Sequence, residues 1–223
     1  MSVIEAIVRI FAPHNCIGCG VEEDVLLCTG CVESLPTVPS RCYRCQVVTD
    51  SYLVCGRCQD VTPLRRVAVS TPYDSLAREL VHHMKYERAQ AGATEMARLM
   101  AKLMNGLPTD VVLVPVPTAS SRVRARGYDH TSLLTRHIAA STGISRSKLL
   151  ARIGQAHQMG ARRADRLRQL GGAFRPVHLK ELRGKHIVLI DDVLTTGATL
   201  ETAARILKQY GARQVDAAVF AQA

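Results

Sequence analysis

The sequence predicts an α/β fold, a doubly wound parallel sheet preceded by a small metal-stapled head. Three observations predict it. Short apolar runs, "VAVS" from Val67, "VVLVPVP" from Val111, "HIVLI" from His186 and "QVDAAVF" from Gln214, alternate with stretches of helical periodicity. That order lays parallel strands between crossover helices. The runs are apolar with little polar alternation, as suits strands covered on both faces. All eight cysteines fall before residue 59, in four Cys-x-x-Cys pairs, and the texture changes after them.

With 223 residues, the chain can hold one core of ordinary size and a small appendage. Hydrophobic residues at 47% and charged residues at 22% are those of a globular protein. No apolar run approaches the roughly 18 residues of a membrane span. The opening "MSVIEAIVRIF" is broken by Glu5 and Arg9 and has no basic residue ahead of it. It therefore reads as a short amphipathic helix with an i,i+4 ion pair, not a secretory signal. A cytoplasmic protein with reduced thiols is the expectation.

The head comes first in the chain. Cys16/Cys19, Cys28/Cys31, Cys42/Cys45 and Cys55/Cys58 are its four pairs. A Cys-x-x-Cys turn aims two thiolates at one point, half of a tetrahedral zinc site. Four halves make two closed sites, which implies two structural zinc ions with no open position for catalysis. Spacing favours sequential pairing, Cys16, Cys19, Cys28 and Cys31 on one metal and Cys42, Cys45, Cys55 and Cys58 on the other; interleaving is the alternative. A segment this poor in apolar residues draws its folding free energy from the metal. The boundary is placed at 65/66: a head over residues 1–65, then a body over 66–223 expected to form its own core.

In the body, Val67–Ser70 is the first strand. Ser75–Met104 carries helical periodicity with a break expected near Ala91–Gly92, and Pro108 stops it. Val111–Pro117 is a buried strand. His130–Gly143 is a helix with Gly143 at its C-terminal cap. Gln155–Phe174 is polar, Arg-rich and aperiodic. The neighbours His82 and His83 diverge on a helix and are read as core-edge residues rather than a site. His186–Ile190 is a strand, Ala198–Tyr210 a helix ended by Gly211, and Gln214–Phe220 the last strand.

The stretch "HIVLIDDVLTTGATLETAARIL" carries the chemistry. In such sheets ligands bind at the carboxyl ends of strands. Asp191 and Asp192 stand at one. Thr195, Thr196, Gly197, Ala198 and Thr199 lead into a helix whose N-terminus favours an anion, with hydroxyl donors and bare backbone to cradle it. The two acids would repel a phosphate. They suit sugar hydroxyls one unit away, or a magnesium ion carried by the ligand. A sugar phosphate satisfies both halves. Neither G-x-x-x-x-G-K-[ST] nor a G-x-G-x-x-G following a strand is present.

"VLIDDVLTTGAT" resembles the phosphoribosyl pyrophosphate (PRPP) signature of type I phosphoribosyltransferases. Together with the Cys-x-x-Cys head, "KY" at Lys85–Tyr86, "VPVP" at Val114–Pro117, "RARGYDH" at Arg124–His130 and "QMGARRADRLRQLGGAF" at Gln158–Phe174, it is similar over nearly its full length to the ComF family. That resemblance implies a type I phosphoribosyltransferase-like parallel sheet with helices on both faces and a double zinc ribbon in front. It implies that Asp191 and Asp192 hold the ribose hydroxyls and Thr195–Thr199 the 5′-phosphate. The turn at Val114–Pro117 and the arginines after it lie in the pyrophosphate region, where Arg124 and Arg126 suit bidentate contacts. Gln158, Gly160 and Arg166 match a loop that closes over such sites. Ala161–Arg162, Gln169 and Asp129–His130 depart from the family's usual Leu-Ser, Asn and Asn-Gln. Magnesium with PRPP, single-stranded DNA and competence proteins are the cofactor and partners the resemblance implies.

The charge is uneven. Between Arg122 and Lys185 fifteen Lys/Arg face three Asp/Glu, whereas the whole chain carries +10. The rest is therefore slightly acidic, and the basic excess gathers near the expected ligand mouth. It suits a polyanionic small molecule or a nucleic-acid backbone, although Tyr128 and Phe174 alone are few aromatics for base stacking. Two function classes follow: a PRPP-dependent transferase with an acceptor to be identified, and a non-enzymatic competence factor that binds a ribose phosphate while the head docks DNA or protein.

Overall fold

The computed structural model describes residues 14–87, 89–153 and 173–223. The amphipathic helix expected at the N-terminus lies outside them, as do Gln158, Gly160, Ala161, Arg162, Arg166 and Gln169. Four parallel strands make the central sheet: β1 (Val67–Pro72), β2 (Val111–Pro115), β5 (His186–Leu194) and β6 (Gln214–Gln222), in the order β1-β6-β5-β2. Between β2 and β5 the chain makes a small antiparallel pair, β3 (Leu150–Arg152) with β4 (Phe174–Pro176). Sequence patterning does not disclose it, because strands of three residues are too short to show a period.

Helices cover both faces. On one lie α1 (Ser75–His82), α2 (Ala89–Ala101) and α4 (His130–Thr142), whose Leu80, Met96, Met100, Leu134 and Ile138 pack on Val188, Ile190 and Phe220. On the other, α5 (Leu179–Leu182) and α6 (Ala198–Gln209) pack on Ile187, Leu189, Val215 and Val219. Helix α6 buries Leu200, Ala203, Ala204 and Leu207, the i, i+3, i+4, i+7 stripe of an amphipathic helix. A further short helix, α3 (Ser120–Arg126), follows β2.

Local chemistry sets the element ends. Asp74 caps α1 by accepting from the Ala77 N–H at 3.0 Å, and Asp129 caps α4 by accepting from the Ser132 N–H at 3.2 Å. Gly143 ends α4 at φ 72°, as expected. The helical break comes earlier than Ala91–Gly92. A wide π-helical turn occupies His83–Glu87, and Gly92 lies inside α2. The reason for that glycine is packing. A Cβ there would stand 2.6 Å from the Met84 backbone nitrogen, so only hydrogen lets the two segments meet.

The strand β5 runs four residues past Ile190. There β2 has ended, with Pro115 opposite Ile190, while β6 continues to pair through Leu194. The two acids therefore lie inside β5, beyond the end of one neighbour, rather than after the strand. The cysteine-rich head adds to both faces of the body. Cys16, Leu26 and Leu27 join the core beneath α1 and α2, and Cys42, Tyr43, Val54 and Leu64 join the core beneath α6. The expected self-contained core of the body is thus shared with the head.

Candidate functional site

Adjacent residues of a strand face opposite sides of its sheet. Asp191 follows Ile187 and Leu189 toward the α6 side, and Asp192 follows Val188 and Ile190 toward the α1/α2/α4 side. Asp192 is 7% exposed and ion-paired with the Lys85 ammonium through Oδ2; His130 Nε2 lies 3.6 Å from the same oxygen. Burial alone would raise this carboxyl, but His130 and Lys85 outweigh it and hold it well below the usual carboxylate range. Asp191 is half-buried, and its Oδ1 accepts from the Asp192 N–H at 3.0 Å. Burial, followed by the neighbouring Asp192 charge, pushes its carboxyl well above the usual range. The pair is thus split into an anchored carboxylate and one that holds a proton readily, the arrangement that separates roles at reacting sites.

Lys85 reaches Asp192 from the π-helical turn, where one extra residue per turn re-aims side chains. His130 is the first residue of α4. Its Nδ1 stands 3.1 Å from Thr118 Oγ1 and 3.1 Å from Arg126 Nη1. A guanidinium can only donate, so Nδ1 accepts and the ring proton sits on Nε2, toward Asp192. Arg126 also lies 4.7 Å over the Tyr86 ring and donates to its hydroxyl at 3.0 Å. Of the two arginines assigned to pyrophosphate, Arg126 is therefore joined to the acids through His130, while Arg124 stands exposed on α3. The roles of Lys85 and His130 are not legible in spacing. The one signal was that Lys85 and His130 sit within "KY" and "RARGYDH". His82 and His83 both reach Glu87, at 3.2 and 2.9 Å.

The loop after β5 exposes Thr195, Thr196, Ala198 and Thr199 and buries Gly197. Gly197 takes φ +80° as the residue before α6, and the Ala198 N–H meets Thr196 Oγ1 at 3.4 Å. Small residues, hydroxyls and the positive end of a helix of 12 residues converge here, as a phosphate cradle requires.

The eight cysteines gather in two clusters, Cys16/Cys19/Cys28/Cys31 and Cys42/Cys45/Cys55/Cys58, with the four sulfurs of each within 4.8 Å of one another. This is the sequential pairing. Sγ atoms of Cys19 and Cys28 lie 3.7 Å apart, and those of Cys45 and Cys55 3.5 Å. Four thiolates at the ~2.3 Å bond length of tetrahedral zinc stand about 3.8 Å apart, so both clusters fit that ion. Burial opposes ionisation of Cys16, yet the N–H groups of Cys28, Cys19 and Gly18 bring its thiol down to about 6; Cys42 reaches about 6 in the same way, against burial, through Cys55, Cys45 and Arg44. All eight are free of disulfides.

Compared with known proteins, residues 83–223 match the phosphoribosyl transferase domain and residues 7–59 the double zinc ribbon domain. A Salmonella typhi protein, DNA utilization protein YhgH, is 33% identical over 204 residues, covering 85% of this chain and 87% of its own. Competence protein F of Haemophilus influenzae is 26% identical over 219 residues, covering 92% and 95%. Competence protein ComFC of Bacillus subtilis is 25% identical over 203 residues, covering 86% and 81%. Fold and site define a phosphoribosyltransferase-type α/β protein headed by a double zinc ribbon. Within that class, the chain belongs to the ComF/YhgH family. Among the described residues, no helix is long and apolar enough to cross a membrane.

Proposed function

We propose that this protein binds PRPP or a related ribose 5-phosphate and serves the uptake and processing of single-stranded DNA in natural competence. The observation that carries the reading is the order of parts at the end of β5: two acids of divided character, then a small-residue hydroxyl loop, then a helix N-terminus. Asp191 faces the ribose hydroxyls as the acid able to give or take a proton. Asp192 stays ionised and holds Lys85 and His130 in place. Thr195–Thr199 takes the 5′-phosphate through N–H and hydroxyl donors. Arg126 extends positive charge toward a pyrophosphate, and Arg124 offers a second guanidinium on the same helix. The carboxylates suit a magnesium ion carried by the ligand. Each cysteine cluster holds one structural zinc. The names of the relatives supply the DNA and competence context, and the basic excess over Arg122–Lys185 is the matching physical feature.

The same divided acid pair favours a second reading, transfer of the phosphoribosyl group with release of pyrophosphate. Calorimetric titration with PRPP and magnesium tests the first reading; heat that saturates at one ligand per chain supports it, and no heat overturns it. Release of pyrophosphate on adding candidate bases moves the protein to the second.

A further inference from the structure

The second cysteine cluster touches the phosphate loop. Tyr43 and Arg44 lie between the ligating positions Cys42 and Cys45, on the turn that closes the cluster. The Tyr43 ring sits against Gly197 so closely that a Cβ there would fall 2.7 Å from its Cε2. Tyr43 is 8% exposed, and its hydroxyl donates to Glu201 Oε1 at 2.7 Å while standing 2.6 Å from Thr62 Oγ1. Arg44 Nη1 donates to the same Glu201 oxygen at 2.5 Å. Glu201 lies in the first turn of α6, directly behind the loop.

A carboxylate in a helix's first turn stabilises the helix itself but opposes an anion docking at the same N-terminus. Glu201 is such a carboxylate, and here it is met by a guanidinium and a phenol from a segment more than 150 positions away in the chain. Gly197 is likewise more than a flexible hinge, since its missing side chain is the seat of the Tyr43 ring. We infer that Tyr43 and Arg44 are positioning residues of the phosphate loop, Tyr43 by propping Gly197 and Arg44 by cancelling the Glu201 charge behind the anion. The second cluster then becomes part of the ligand site, and what holds that cluster together holds the loop. The inference rests on the phosphate-loop reading given above.

The test is a mutant cycle on the full, zinc-loaded chain, with PRPP and magnesium as the titrant. Arg44→Ala is expected to weaken binding about fivefold with zinc content per chain unchanged. Adding Glu201→Gln to it should restore the affinity to within about twofold of wild type, because the charge that Arg44 cancelled is gone. Affinity unchanged in Arg44→Ala, or a loss that Glu201→Gln does not restore, overturns the inference. If wild type itself fails to bind PRPP, the ribose-phosphate reading falls by that result alone. Amide hydrogen exchange of residues 195–200 without ligand then decides the positioning role. Faster exchange in Tyr43→Ala, which removes the ring that Gly197 rests against, at wild-type zinc content upholds it, and unaltered exchange overturns it.

Discussion

Neighbouring in sequence, Asp191 and Asp192 are not alike in the fold, and their stability effects should carry opposite signs. The Asp192 carboxyl is depressed, so its contribution is fully present above the ordinary carboxylate value of ~3.9 and is lost as pH falls through the folded value. The Asp191 carboxyl is raised, so its penalty is fully present above the folded value and vanishes below ~3.9. Asp192→Asn should therefore destabilise by roughly 3 kcal/mol at pH 7, leaving Lys85 without its carboxylate. Asp191→Asn should stabilise at pH 7, with the gain shrinking on acidification. Both should weaken PRPP binding, Asp191→Asn by loss of a hydroxyl partner worth about tenfold or more. Denaturant unfolding between pH 4 and 8, beside calorimetry, reads both. Equal destabilisation by the two variants would contradict the division of roles.

At the scale of elements, the length of β5 matters most. Its nine residues carry a site at one end and a buried polar contact at the other. His186 Nε2 meets Asp216 Oδ2 of β6 at 2.9 Å, with side chains 4% and 2% exposed, and Gln214 adds a contact to the same oxygen at 3.1 Å. Removing one partner of such a pair strands the other. Asp216→Ala should lower stability by about 1–3 kcal/mol, the cost of a buried group left without its partner. Because the pair sits at the amino ends of β5 and β6, PRPP affinity of the folded variant should stay within about twofold. A large loss of affinity without a loss of stability would mean that the two ends are coupled. The apolar run His186–Ile190 was legible as a strand from its composition. Its continuation through Asp191 and Asp192 was not, because polar residues there read as a strand end until pairing with β6 is seen.

For the whole molecule, the head and body are joined through both faces of the sheet. One cluster's surroundings enter the core under α1 and α2, and the other's enter the core under α6. Purified protein should carry two zinc ions per chain by elemental analysis. Stripping them with a strong chelator should lower the melting temperature of residues 66–223 as well as that of the head, because Tyr43, Val54 and Leu64 leave the shared core. A body transition unmoved by chelation would show that the shared packing contributes little. Charge acts at the same scale. If the basic excess binds single-stranded DNA, affinity should fall with salt at a log-log slope of about −0.7 per phosphate contacted. Replacing Arg162, Arg163, Arg166 and Arg168 by Ala should flatten that slope by up to ~3. DNA binding absent even at low salt would assign the excess to the small ligand.

The sequence by itself determined the fold class, the family, the eight cysteines of the clusters and the acid-and-hydroxyl motif. Each of these is local or periodic: strand composition, a two-residue cysteine spacing, one contiguous loop. It left open what depends on residues far apart in the chain. Sequential cysteine pairing, Lys85 and His130 on Asp192, and Tyr43 and Arg44 on the loop and Glu201 all emerged only when the sheet was assembled. The physical reason is that burial and charge partnership belong to the tertiary environment. Two aspartates written side by side acquire opposite proton affinities because the pleat of β5 sends one toward a lysine and a histidine and the other away from them.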